Sequence, residues 1–193
     1  MKNIKNFLAQ PKVVTISFVG MLISLVVFYY FQQYLGAKIL DVLPGYNLSI
    51  VNQSMVAFGD FGRNLYAFLT LTLDVIFPIF YVSFFSGFIL LMIKKGILRQ
   101  LYIIPIILGI VDIMENIQIF TMLITFPDIF AEQVEWSSKT TLLKNWLVNL
   151  TYLAILLALS VGSPNETVLR SSWSRGASSF IASGAVSTHG RIS

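Results

Sequence analysis

The run VVTISFVGMLISLVVFYYFQQY, residues 13–34, decides the fold: it holds no charged side chain and exceeds the roughly 20 residues that cross a bilayer's hydrocarbon. Lys2, Lys5 and Lys12 precede it, as in the start of a signal peptide. The run is longer than the usual core of about 7–15 residues, and no convincing small-x-small cleavage site follows, so a retained helix is expected. Working outward, three further apolar runs read as spans at about Asn64–Ile93, Leu101–Thr125 and Leu143–Val161. The expected fold is all-α: a polytopic membrane protein, a four-transmembrane-helix bundle with a short outer interfacial helix. Its parts are a cytoplasmic N-terminus (1–12), the transmembrane domain (13–162) and a Ser/Gly-rich cytoplasmic tail (163–193) that reads as disordered.

Composition agrees. Of the 193 residues, 56% are hydrophobic and 11% charged, against roughly 25% charged in a soluble domain. Cysteine is absent, which excludes disulfides, thiolate metal sites and cysteine nucleophiles. The one histidine, His189, lies in the tail, so no metal site and no cofactor are expected. The net charge of +4 does not call for nucleic acid, because the basic residues are placed as topology signals. Lys2, Lys5, Lys12, Lys94, Lys95, Arg99, Arg170, Arg175 and Arg191 share one side. Lys38, Arg63, Lys139 and Lys144 fall in the opposite loops, diluted by Asp41, Asp60, Asp128, Glu132 and Glu135. Both termini are therefore expected in the cytoplasm.

The first outer loop has its own pattern. Pro44-Gly45 signals a turn, and Asn47 is placed to cap a helix over Leu48 to Phe58. Leu48, Val51, Met55 and Phe58 fall on one helical face, and Gly59 should end it. Such a helix either lies on the interface or lids the bundle.

Inside the spans the charge reads as unbalanced. Asp74 lies in the second, Asp112 and Glu115 in the third, and with Lys144, at the outer edge of the fourth, counted among the loop charges, no base accompanies them. An acid near mid-bilayer costs roughly 2.5–3.5 kcal/mol. Asp74, Pro78 and Tyr81 share a face, as do Pro105, Gly109, Asp112 and Asn116, with Glu115 beside them. An antiparallel hairpin turning near Gly96 sets Pro78 level with Asn116 and Asp74 level with Phe120. The expected result is a polar pocket towards the outer leaflet, lined by Asp74, Tyr81, Asp112, Glu115, Asn116 and Asn149. Arg63 near its mouth would meet an anionic headgroup. Crowded, poorly solvated carboxyls hold at least one proton, which suits Asp74 and Glu115 to acid–base work. The plainer reading is a hydrogen-bond network fastening the helices, at about 0.6 kcal/mol per bond.

Two resemblances follow from these residues. Asp74-Val75-Ile76-Phe77-Pro78-Ile79-Phe80-Tyr81 with Asp112-Ile113-Met114-Glu115-Asn116 resembles a motif pair of small bacterial membrane proteins without an assigned activity, which implies an inner-membrane four-helix protein. The layout, with an acid shortly before Pro78, also resembles the EXPERA family of sterol isomerases and ligand-binding relatives. Those isomerases use a site histidine, which no span here contains.

Three functions compete. The first is handling of a lipid or other hydrophobic ligand, with membrane lipids as partners. The second is an accessory subunit docked on another membrane protein or on its own copies. The third is a proton- or ion-coupled carrier, for which four helices without repeats or broken spans leave little room.

Overall fold

The computed structural model describes residues 2–35 and 37–162; the tail expected from 163 onward lies outside the described residues. Every regular element among the described residues is helical: α1 (Lys2–Leu8), α2 (Pro11–Gln32), α3 (Leu48–Leu71), α4 (Leu73–Met92), α5 (Ile103–Thr125) and α6 (Ala131–Gly162). Short 3₁₀ turns occupy Leu40–Val42 and Ile97–Tyr102. Four stretches are long and apolar enough to cross a membrane: Pro11–Gln32, Leu48–Met92, Ile97–Thr125 and Ala131–Gly162.

Local chemistry sets the boundaries. Pro11 opens α2, where its missing N–H is no loss. Asn47 caps α3, its side-chain oxygen accepting from the Ile50 N–H at 3.0 Å. Leu48–Phe58 forms the expected amphipathic turns and stops at Gly59, whose φ of 61° and ψ of −178° break the helix. The chain then resumes helix to Leu71 and bends again at Thr72. The second long apolar stretch is therefore a short helix ending at Phe58, followed by a rod that bends at Thr72, rather than one helix from Asn64. At the other end of the sequence, α6 starts at Ala131, well before the expected Leu143.

The helices pack in sequence around α4 and α5: α2 lies on α4, α4 on α5, α5 on α6, and α6 also touches α4. Apolar cores close the two ends. At one end Val51, Met55 and Phe58 of α3 bury their face against Ile119, Met122, Leu123 and Val134, with Leu35, Leu40 and Tyr46 beneath. The short helix is thus a cap on the bundle. At the opposite end Leu8 of α1 packs with Ile89, Leu90, Ile93, Tyr102, Ala154 and Ala158. Lys5 sits 4.9 Å from the centre of the Tyr102 ring there, beside the Lys94–Arg99 turn. The basic residues of the N-terminus and of that turn therefore share the end remote from the cap.

Burial on α2 runs opposite to that of a soluble amphipathic helix. Its buried residues are Val14, Ser17 and Ser24, while Ile16, Val19, Ile23 and Val26 are exposed. The outer faces of α5 and α6 show the same apolar dress, at Ile107, Ile110, Ile117, Leu153 and Leu156.

Candidate functional site

Between the two apolar ends lies a polar layer organised by α4. Asp74, Phe77, Tyr81 and Phe85 recur at helical spacing and face one cavity of about 370 Å³. Leu108 and Asp112 of α5 continue the wall, followed by Lys144, Val148 and Thr151 of α6. Met21, Leu25 and Phe28 of α2 face them, and Asp41 closes the capped end. The walls are mostly aromatic and aliphatic, with a few convergent polar groups, as ligand cavities generally are.

α4 and α5 meet closely because Gly109 has no side chain. A Cβ there would lie 2.6 Å from Val82 Cγ2. That approach brings the Tyr81 hydroxyl to donate to Asp112 Oδ2 at 2.9 Å. One turn further along, Pro78 lacks the N–H that an α-helix needs to satisfy the Asp74 carbonyl four residues back. Asn116 supplies it: its Nδ2 donates to Asp74 O at 2.9 Å. The two sequence motifs are thus halves of one device, a proline that frees a carbonyl and an asparagine that occupies it. Asn116 is buried in this role and does not line the cavity. The contact sets Asn116 level with Asp74, one helical turn from the expected register. The 3₁₀ turn at Ile97–Tyr102, which rises faster per residue than an α-helix, displaces the hairpin's midpoint.

The expected absence of a base does not hold. Lys144, second in the expected fourth span, is not a loop residue: α6 runs three turns before it, and its side chain is only 13% exposed. Its ammonium pairs with Glu115 and sits 3.4 Å from Asp112 Oδ1. Thr141 Oγ1 donates to the other Glu115 oxygen at 2.5 Å. Thr141 also lies 3.2 Å from the Tyr46 hydroxyl, which is 2.7 Å from Ser137 Oγ. Burial raises the Tyr46 phenol above its ordinary value near 10.0, so it remains a hydrogen-bond donor. A continuous polar chain therefore runs from the capped end through Thr141, Glu115, Lys144 and Asp112 to Tyr81.

The residues singled out from sequence separate accordingly. Asp74, Tyr81 and Asp112 come together in the cavity wall. Glu115 is 0% exposed and sits behind that wall, sealed by Lys144 and Thr141. Asn149 turns to the exposed side of α6 and donates to the Asn145 carbonyl. Arg63 is spent on the kink. Its Nη1 donates to Met55 O at 2.7 Å, one of the carbonyls that the Gly59 break deprives of a helical partner. It also pairs with Asp60 and lies 4.8 Å from the Phe126 ring centre.

Sequence reasoning missed Lys144 and Asp41. A stripe at helical spacing, Ser137, Thr141, Lys144, Val148 and Thr151, was the available signal for the first. Asp41 reads as a loop acid, yet its carboxylate accepts from the Tyr66 hydroxyl at 3.1 Å and reaches the cavity. Tyr66 in turn accepts from the Leu40 N–H at 3.1 Å, which fixes the 3₁₀ turn in place. No protein-family model, curated protein or solved structure matches the chain.

Proposed function

We propose that this chain is a multi-pass integral membrane protein, with both termini in the cytoplasm, that binds or processes a lipid or other hydrophobic ligand in the cavity between α2, α4, α5 and α6. Membrane residence is supported by the four apolar stretches and by the inverted burial of α2, whose small polar residues face inward. Orientation is supported by the grouping of Lys5, Lys12, Lys94, Lys95 and Arg99 away from the cap. The observation that carries the ligand reading is where the cavity opens. α2 packs on α4 and α6 packs on α5 and α4, but among the described residues α2 and α6 form no packed seam. The cavity occupies that gap, and Leu25 and Tyr152 at its margins are exposed. A slot between two apolar helices admits a chain from the side, directly out of surrounding lipid.

The wall offers Asp74 and Asp112 as the carboxyls that reach a ligand, with Tyr81 orienting Asp112. Glu115 supports them from behind by holding Lys144. Native mass spectrometry in a mild detergent tests the reading, with Asp74→Asn and the cavity-filling Val148→Phe in parallel. A lipid-sized mass retained by the wild type and lost from Val148→Phe is expected. A protein partner retained by all three chains, with no small ligand on any, would replace this reading with that of an accessory subunit.

A further inference from the structure

The cavity's charge arithmetic is uneven, and one carboxyl is left over. Asp41, Asp74 and Asp112 line it, and Glu115 stands directly behind. Among the described residues Lys144 is the one cationic side chain in the wall. That ammonium is already engaged by Glu115 and Asp112. Asp112 also takes the Tyr81 hydroxyl, and Asp41 takes that of Tyr66. Asp74 is different. It is 8% exposed and lines the cavity, yet its carboxyl has no hydrogen bond or ion pair among the described residues. A buried carboxyl without a partner is costly, and the cost falls when a cation or donor arrives beside it.

We infer that the ligand is an amphiphile with a protonated amine head, and that Asp74 is its counter-ion. This rests on the ligand-cavity reading and narrows it. The ring walls next to Asp74 suit such a head. Phe77 and Tyr81 follow it on α4, their centroids 5.1 Å apart, and Phe28 of α2 meets Phe77 edge-on at 5.6 Å. Aromatic faces attract ammonium groups through their quadrupole. An anionic head finds no free cation among the described lining residues, because Lys144 is taken, and it meets three carboxyl groups. A neutral alcohol can hydrogen-bond to Asp74 but brings no charge to stabilise its carboxylate form. The volume of about 370 Å³ lies at the small end of ligand cavities, which span about 300–1,000 Å³. It holds a head and the first part of a chain, and the remainder leaves through the slot between α2 and α6.

The test uses the full chain in nanodiscs of zwitterionic phosphatidylcholine at neutral pH, with binding to protein-free discs subtracted. Radiolabelled dodecylamine, dodecanol and dodecanoate share one tail and differ in head charge. The wild type is expected to hold dodecylamine at least about tenfold more tightly than the other two, a difference of about 1.4 kcal/mol. Asp74→Asn is expected to abolish the preference, so that the variant holds the amine no more tightly than it holds the alcohol. Equal binding of amine and alcohol, or tighter binding of dodecanoate, overturns the inference and leaves the cavity reading standing. Failure of all three probes to bind overturns both. The wild-type comparison decides even where Asp74→Asn does not fold.

Discussion

Exchanging Asn116 for leucine removes the side-chain donor that satisfies the Asp74 carbonyl and keeps the same branched side-chain skeleton. Pro78 cannot supply a replacement, so the carbonyl stays buried and unpaired. An unsatisfied buried acceptor costs about 1–3 kcal/mol, and Asn116→Leu should destabilise the bundle by that amount. The informative comparison is the same change in a Pro78→Ala background. That exchange restores a backbone N–H four residues from Asp74, and the helix closes its own bond. Asn116 then becomes an ordinary interhelical contact worth about 0.6 kcal/mol. The double-mutant cycle should therefore show coupling of about 1–2 kcal/mol, with the asparagine needed less once the proline is gone. Unfolding free energies of the four chains, measured by steric trapping in one bicelle composition, supply the cycle. An identical cost of Asn116→Leu in both backgrounds would falsify the assignment of Asn116 as the partner of the proline-freed carbonyl.

Two other expectations concern charge and orientation. Lys144→Met leaves Asp112 and Glu115 without their cation and should cost about 3–5 kcal/mol, with part of the loss recovered by adding Glu115→Gln; wild-type stability of Lys144→Met in the same unfolding assay would refute the ion triad. The chain has no cysteine, so Lys95→Cys and Lys139→Cys each create a lone thiol, at positions 95 and 139 respectively. A membrane-impermeant maleimide applied to intact cells should label Lys139→Cys and spare Lys95→Cys, and the reverse pattern would invert the topology.

What is legible in the sequence is whatever depends on short-range chemistry. Asn47 as a cap, Gly59 as a stop and the face of Leu48, Val51, Met55 and Phe58 all follow from local rules. The ends of α2 and α5 follow from apolar length. The convergence of Asp74, Tyr81 and Asp112 is also within reach, because each helix carries its own face periodicity. Lys144 is hidden because a lysine at the edge of an apolar run reads as a loop charge, whereas α6 starts several turns earlier on polar residues and carries Lys144 inward to Asp112 and Glu115. Depth is hard to read for a related reason: pairing across the hairpin depends on how the Lys94–Tyr102 turn winds. Asn149 shows the limit of depth alone. It stands at a plausible height, but its helix face points outward. Asn116 and Pro78 each stand out in the sequence, as an amide and a proline inside apolar spans. Their connection needs the three-dimensional register.

The ion triad also has a consequence in time. A ribosome delivers α5, with Asp112 and Glu115, before it delivers Lys144 on α6. With the membrane residence proposed above, each acid burdens entry of α5 by roughly 2.5–3.5 kcal/mol until α6 emerges. The chain order thus favours α5 and α6 entering together as a hairpin, with the neutralising charge arriving last. A nascent chain halted after Thr125 should hold α5 at the membrane less firmly than one that has reached Gly162.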